Sequence, residues 1–190
     1  MNFIKTAIPD VIIIEPRVFG DERGYFVETF RQDKLDDFLG FKVNFIQDNE
    51  SKSGYGVLRG LHYQLPPASQ TKLVHVIKGK VLDVAVDIRK GSPTFGKHVA
   101  VELSEQNKRQ LFVPRGFAHG FAVLEDDTVF AYKVDNYYSP ENDRGLAFDD
   151  ASLTIDWIVD KENLQLSPKD TRQPTLDHAE LFDYGMDLYA

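Results

Sequence analysis

The sequence predicts an all-β fold, an antiparallel β-barrel with small peripheral helices. Three observations predict it: short β-branched and aromatic segments recur along the chain, turn residues separate them, and helical periodicity is sparse. The chain has 190 residues, 42% of them hydrophobic and 12% aromatic. That length and composition suit one substantial core, so we expect residues 1–190 to form a single domain.

The first predicted elements lie in the N-terminal part of the chain. A strand is expected over residues 24–30, where Tyr25, Val27 and Thr29 alternate with aromatic and acidic neighbours. A helix is expected over residues 31–39, ending at Gly40, because glycine readily takes the left-handed conformation that closes a helix.

The remaining elements are short strands. Strands over residues 73–77 and 81–88 flank Lys78-Gly79-Lys80, which predicts a tight hairpin. Further strands are predicted over residues 98–103, 110–113, 120–125 and 128–134. From Ser167 onward the chain is polar and contains prolines, which favours turns and short helix.

Charge and composition exclude several classes of function. The net charge is −8 and no basic run occurs, so a general nucleic-acid binder is not expected. The sequence contains no cysteine, which excludes disulfides, thiol nucleophiles and cysteine-ligated zinc. The apolar run over residues 11–14 is too short for a signal peptide or a membrane span. We therefore expect a cytoplasmic protein with no membrane partner.

A histidine lies in the predicted strand Arg59-Gly60-Leu61-His62-Tyr63-Gln64. Strict alternation would put His62 on one face with Gly60 and Gln64, and Arg59 on the other. A histidine inside a barrel is suited to accept a proton near neutral pH. Taken alone, a core histidine bonded to a backbone carbonyl is the simpler interpretation.

The segment Pro114-Arg115-Gly116-Phe117-Ala118-His119 has the Pro-x-Gly-x-x-His spacing of the second cupin motif, which it resembles. In metal-binding cupins this histidine joins a His-x-His pair from the first motif. Here the matching segment is His62-Tyr63-Gln64, so one imidazole is missing, and glutamine is a weak ligand. The pattern favours the cupin fold without a transition-metal site.

Three further residues have side chains that could take part in chemistry or binding: Lys72 and Tyr132, which lie in apolar strands, and Tyr138, which lies beside a turn. Lys72 shares strand parity with Val74 and Val76, so we expect it to point inward, where Asp83 is a candidate partner. The pattern leaves structural ion pairing and catalysis both open for this pair. Tyr132 fits either core packing or an acid, and Tyr138, beside a Ser-Pro turn, fits a rim position for stacking on a base.

Eight segments in register together closely resemble the dTDP-4-dehydrorhamnose 3,5-epimerase family, over nearly the whole chain. They are Arg23-Gly-Tyr-Phe-Val-Glu28, Gln47-Asp-Asn49, residues 59–64, Lys72, residues 114–121, Tyr132, Tyr138-Ser-Pro140 and Ser167-Pro-Lys169-Asp170. The resemblance implies a cupin-type double-stranded β-helix, or jelly-roll barrel, with small peripheral helices.

The resemblance also implies an activity, the inversion of carbons 3 and 5 of dTDP-4-dehydro-6-deoxy-D-glucose to give dTDP-4-dehydro-L-rhamnose. Both carbons flank the 4-keto group, so loss of either proton gives an enolate. By resemblance, His62 is the base, Asp170 orients it, Lys72 lies near the keto oxygen and Tyr132 is the acid. Neither NAD nor a metal is needed, so no cofactor is expected.

Substrate-binding residues are implied in the same way: Arg23, Glu28, Gln47, Asp48, Asn49, Arg59, Lys72, His119, Tyr138, Asp143 and Lys169. The cations among them would hold a diphosphate in an otherwise acidic protein, and Tyr138 would stack on thymine. The family is homodimeric, and its segment around residues 23–28 reaches into the neighbour's site. Two positions depart from the family pattern: Asp143 replaces a frequent Glu, and Phe148 replaces the usual Trp.

Three alternatives remain open at this point. A single-centre epimerase or ketoisomerase acting on a related dTDP-keto-sugar would share the base and the acid. A non-catalytic sugar-nucleotide-binding cupin would be expected to lack His62 or Tyr132. A metal-dependent cupin oxygenase would need the ligand that Gln64 fails to supply.

Overall fold

The computed structural model describes residues 1–189, which are mainly β-strand. The strands are β1 (Asn2–Lys5), β2 (Ile12–Glu15), β3 (Val18–Asp21), β4 (Gly24–Val27), β5 (Gln47–Ser53), β6 (Leu58–Gln64), β7 (Lys72–Lys78), β8 (Lys80–Asp87), β9 (Arg89–Lys90), β10 (His98–Ser104), β11 (Gln110–Val113), β12 (Phe117–Val123), β13 (Thr128–Val134), β14 (Asp143–Gly145) and β15 (Phe182–Asp183). Helix α1 spans Gln32–Leu39, and short 3₁₀ turns span Lys161–Asn163, Asp170–Arg172 and Leu176–His178. No helix within residues 1–189 is long and apolar enough to cross a membrane.

The prediction of an all-β, cupin-type fold is confirmed. A six-stranded sheet has the order β1-β2-β11-β7-β13-β5, and a five-stranded sheet has the order β10-β8-β12-β6-β14. The two sheets enclose a common core without closing into one hydrogen-bonded barrel. The paired strands within both sheets run antiparallel.

The core between the sheets contains apolar side chains from both, including Val74 and Phe130 from one and Ala85 and Phe121 from the other. A second apolar cluster covers the outer face of the five-stranded sheet. There, Leu61 and Val84 pack with Trp157 and Phe182 from the C-terminal part of the chain. β8 is covered on both faces, so it is buried at every position after Lys80, and its buried residues are apolar apart from Asp83 and Asp87.

The predicted hairpin at Lys78-Gly79-Lys80 is wrong. β7 belongs to the six-stranded sheet and β8 to the five-stranded sheet, so the turn carries the chain between sheets. Gly79 has a φ of 81°, and a Cβ there would lie 2.3 Å from the Thr128 hydroxyl oxygen. A glycine in a tight turn indicates a sharp change of direction, and a sheet-to-sheet corner and a hairpin both require one.

The predicted helix is confirmed, with its end at Gly40 in the left-handed conformation. The first predicted strand is shorter than expected: β4 ends at Val27 and pairs only with β3. The two form a separate hairpin whose ladder includes no third strand among residues 1–189.

Candidate active site

The strand that carries His62 is irregular at Gly60. In the ladder between β6 and β12, His119 lies opposite His62 and Phe121 lies opposite Arg59, so two residues of β6 face Gly120 alone. Gly60 has a φ of 135°, and a Cβ there would lie 2.5 Å from the Gly120 Cα. Such a bulge shifts side chains to the other face of a strand.

The bulge corrects the prediction from strict alternation. Arg59 and His62 do not point to opposite faces, since both line the same cavity of about 560 Å³ between the sheets. Leu58 and Leu61, also three residues apart, both pack in the outer apolar cluster. The bulge therefore places a cation and an imidazole in one cleft.

His62 is bound to a buried carboxylate. Its Nε2 lies 2.5 Å from Oδ1 of Asp170, whose side chain is 3% exposed, while 29% of the His62 side chain remains exposed toward the cleft. Burial alone would raise the pKa of Asp170, but hydrogen bonds from His62 and Ser167 outweigh it and hold that pKa below its usual range. The ionised carboxylate can orient the ring and stabilise an imidazolium.

A second histidine–aspartate pair lies deeper in the same sheet. His119 Nε2 lies 2.9 and 3.0 Å from the two carboxylate oxygens of Asp83, and both residues are buried. Burial lowers the pKa of His119, against the opposing effect of Asp83. The candidate ion pair between Lys72 and Asp83 is not formed within residues 1–189, because Asp83 bonds His119 instead.

The opposite wall of the cleft belongs to the six-stranded sheet. Lys72 points inward as predicted, and its ammonium lies 5.9 Å from the centre of the Tyr132 ring. Burial lowers the Lys72 pKa to about 8, although Asp83 and Asp143 act against that shift. Burial raises the pKa of Tyr132, so its phenol stays protonated at neutral pH.

The rim of the cleft carries three of the expected binding residues. Tyr138 donates to Asp143 at 3.0 Å, and Lys169 forms an ion pair with the same carboxylate oxygen. They line a smaller cavity of about 160 Å³ that also reaches His62, Lys72 and Tyr132. The hydrogen bond to Asp143 raises the pKa of the exposed Tyr138.

The residues expected in the site divide into two groups. Asn49 and Arg59 line the larger cavity with His62, Lys72 and His119, and Gln47 donates to Asn49 at 2.7 Å. Asp48 instead accepts from Lys133 and is largely exposed. Arg23 and Glu28 lie on or beside the separate hairpin and do not line the cleft of their own chain.

Sequence reasoning missed two supporting residues. Ser167 donates to Asp170 at 2.7 Å, and Ser53 accepts from Arg59 at 3.2 Å. The Ser-x-x-Asp spacing of residues 167–170 was a usable signal, because it is typical of local side-chain capping. Ser53 carried no such signal, since it meets Arg59 only because the turn between β5 and β6 carries the chain from one sheet to the other.

The arrangement can move protons on a bound carbon acid. The base belongs to one sheet, while a phenol and an ammonium face it from the other, so a molecule between them would have acid and base on opposite sides. Within the described part of the chain, no three His, Asp or Glu side chains are grouped to hold a metal.

Comparison with known proteins identifies relatives over almost the full length. Residues 5–178 match the family model described as dTDP-4-dehydrorhamnose 3,5-epimerase. The enzyme of that name from Shigella flexneri is 57% identical over 182 residues, which cover 96% of this chain and 99% of the relative.

Solved structures agree with this match. The dTDP-6-deoxy-D-glucose-3,5-epimerase of Legionella pneumophila, in complex with dTDP-4-keto-L-rhamnose, has a TM-score of 0.93 and 49% identity, covering 97% of this chain and 99% of that one. The 3'-monoepimerase ChmJ of Streptomyces bikiniensis, in complex with dTDP-quinovose, has a TM-score of 0.89 and 33% identity, covering 95% and 92%.

Proposed function

This chain belongs to the dTDP-4-dehydrorhamnose 3,5-epimerase family and is an isomerase acting on a dTDP-linked 4-keto sugar, and we propose that His62 and Tyr132 carry its proton transfers. It converts dTDP-4-dehydro-6-deoxy-D-glucose into dTDP-4-dehydro-L-rhamnose. The observation that carries the proposal is the His62–Asp170 pair on one wall of the cleft, with Lys72 and Tyr132 on the other.

The first step is removal of a proton beside the keto group. His62 Nε2 is bonded to Asp170, so the ring presents its other nitrogen to the cleft as base. The C–H electron pair moves into the carbon–carbon bond of the enolate, and the carbonyl pair moves onto the oxygen at carbon 4. The Lys72 ammonium stabilises that oxyanion within a partly desolvated cleft.

The second step returns a proton to the opposite face of the same carbon. Tyr132 gives its phenolic proton, the enolate collapses to the ketone, and the centre is inverted. His62 now holds the abstracted proton and Tyr132 is a phenolate, so both exchange with solvent before the second centre reacts. Neither step requires a cofactor.

Binding of the nucleotide is assigned to the residues around the two cavities. Arg59 and Lys169 are the cations available to the diphosphate, and Asn49 and His119 offer hydrogen bonds deeper in the cleft. Tyr138 is 61% exposed at the rim, where its ring can stack on thymine. The rim ion pair between Asp143 and Lys169 would then reorganise around the ligand.

A homodimer accounts for the residues that the cleft of one chain leaves out. The β3–β4 hairpin exposes Phe19, Tyr25 and Phe26 by 49%, 60% and 69%. Such an apolar patch on a two-stranded hairpin indicates a covering partner. We assign that partner to a second copy, whose cleft receives Arg23 and Glu28.

A cytoplasmic location also stays a proposal, supported by the absence of cysteine.

Turnover of dTDP-4-keto-6-deoxyglucose in deuterated water, followed by NMR, tests the activity. Label at carbons 3 and 5 together with net inversion at both is expected. Label and inversion at one carbon alone would instead match the monoepimerase ChmJ and overturn the assignment of two centres.

Mixing two inactive variants tests the dimer. Arg23→Ala and His62→Asn chains should complement each other, because a hybrid dimer contains one site with both residues intact. Random mixing should restore about a quarter of the wild-type rate if the dimer is symmetric. No recovery after subunit exchange would contradict the sharing of Arg23.

A further inference from the structure

A buried polar cluster lies where three strands of the six-stranded sheet end. Thr71 immediately precedes β7, and Asp135 immediately follows β13. Arg115 is separated from the end of β11 by one residue. One Asp135 oxygen accepts from the Thr71 backbone N–H at 2.6 Å, and the other accepts from Arg115 Nε at 3.1 Å. Thr71 is fully buried, and the Asp135 side chain is 4% exposed.

The C-terminal tail, residues 182–189, completes this cluster. It begins with β15, which pairs in parallel with β9, and the Leu188 carbonyl accepts from Arg115 at 2.6 Å. The Tyr189 ring packs 4.9 Å from Phe41 and 5.1 Å from the Arg115 guanidinium carbon. The match to the family model ends at residue 178, before the tail begins.

Tyr189 connects this tail to the cluster through its hydroxyl. The hydroxyl accepts from the Arg115 backbone N–H at 3.2 Å and lies 2.8 Å from Thr71 Oγ1. Since the N–H can only donate, the phenol is free to donate its own proton to Thr71. The tail is thereby bonded to the residue immediately before Lys72.

The position of the Lys72 side chain depends on Thr71 more than it would if the ammonium had an ion-pair partner. Within residues 1–189 its ammonium forms no hydrogen bond or ion pair, so no side-chain partner holds it in place. Its position follows from its main chain, which pairs with Val113 and Val134. Thr71, Arg115 and Asp135 lie just beyond these three paired residues.

We propose that Tyr189 is a positioning residue for Lys72, acting through its hydrogen bond to Thr71. This inference rests on the proposed role of Lys72 at the keto oxygen. Loss of the hydrogen bond between Tyr189 and Thr71 would make the start of β7 more mobile. The Lys72 ammonium could then move away from the developing oxyanion. A misplacement of about 1 Å can cost about 10²-fold in rate, and the remaining strand pairs limit the movement, so we expect kcat to fall about tenfold.

Tyr189→Phe is the decisive variant, because it removes the hydroxyl and keeps the packing against Phe41 and Arg115. Tyr184→Phe is the matched control: Tyr184 lies in the same tail and stacks on Arg89, but its hydroxyl has no hydrogen bond within the described chain. We expect Tyr189→Phe to lower kcat and the deuterium-exchange rate together, with dTDP affinity unchanged. Tyr184→Phe should match wild type in all three measurements.

Substitutions at Thr71 separate positioning from general stability. Thr71→Val keeps the shape and loses the hydroxyl, and should lower kcat as Tyr189→Phe does, whereas Thr71→Ser should restore it. The double variant Thr71→Val/Tyr189→Phe should be no slower than Tyr189→Phe alone, since both changes remove the bond between Thr71 and Tyr189, and only Tyr189→Phe also removes the acceptor of the Arg115 N–H. Additive losses, or a lower unfolding midpoint with kcat unchanged, would assign the tail to stability alone.

The wild-type protein in the same assay separates a failure of the proposed function from a failure of the role proposed for Tyr189. If wild type does not turn over the keto sugar, the proposed function fails. If wild type turns over and Tyr189→Phe has the same kcat, the function stands and the role of the tail is overturned.

Discussion

The two walls of the cleft hold their polar groups in different ways. On the five-stranded sheet, His62 and His119 are each bonded to a buried aspartate. On the six-stranded sheet, the side chains of Lys72 and Tyr132 have no hydrogen-bond partner within residues 1–189, so their positions follow from the main chain that carries them. The first wall is organised before substrate arrives, while the groups of the second wall are left available for the substrate oxygen and carbon.

This contrast has a physical basis in the two tasks. A base must have one tautomer and one orientation, and a neighbouring carboxylate supplies both. An ammonium that must stabilise an oxyanion, and a phenol that must donate, are weakened by a permanent partner that competes for the same proton. Changes to the two walls should therefore have different kinetic signatures.

The largest effect is expected from His62→Asn. Removal of a general base typically costs about 10²–10⁴-fold, so exchange at carbons 3 and 5 should both be lost while dTDP still binds. His98→Asn, the same change on β10 away from the cleft, is the control and should retain full activity. Near-normal turnover by His62→Asn would contradict the assignment of the base.

Tyr132→Phe should act on the opposite wall only. Abstraction by His62 does not need the phenol, so deuterium should still enter the substrate while net inversion falls by about 10²-fold or more. Tyr137→Phe, at an exposed ring nearby, should change neither rate. If exchange and inversion fall in parallel, Tyr132 positions the substrate rather than delivering the proton.

Asp170→Asn tests whether the first wall works as a unit. A hydrogen bond to a charged group contributes about 1.5–3 kcal/mol, so kcat should fall about 10- to 100-fold. In the His62→Asn background the same change should cost little more, because the pair acts through one imidazole. Full additivity would separate Asp170 from the base.

The pH dependence of kcat/KM reports on the second wall. Lys72 carries its charge below its pKa of about 8, so kcat/KM should fall about tenfold per pH unit above that value. Burial and the charge of Lys169 lower the pKa of Lys72, while Asp83 and Asp143 favour its charged form. The pKa of Tyr132 is raised, so ionisation of the phenol does not cause this loss. A rate that stays level through pH 10 would remove Lys72 from the step.

The smallest effect is expected from metal removal. Exhaustive chelation should leave kcat unchanged, because neither wall relies on a metal to polarise the keto group. Loss of activity that one divalent ion restores would contradict the roles of both Lys72 and His62.

Much of the architecture could be predicted from the sequence, because it depends on local sequence patterns. The end of α1 at Gly40, the strand over residues 110–113 and the inward position of Lys72 each follow from short-range periodicity or backbone preference. Strands without an alternation of apolar and polar residues were not predicted, above all β5. Its residues are all polar, and only their exposure in the folded structure alternates. Its strand character comes from pairing with β13, which lies far along the chain.

The sequence by itself determined the residue types of the site and, through eight segments in register, the family to which they belong. Only the tertiary structure decided which of them meet. The Gly60 bulge brings Arg59 to the side of His62, Asp83 bonds His119 rather than Lys72, and the turn at Gly79 joins two sheets instead of two hairpin strands. The reason is that these outcomes depend on close approaches between segments distant along the chain, whereas alternation and turn propensity describe only neighbours.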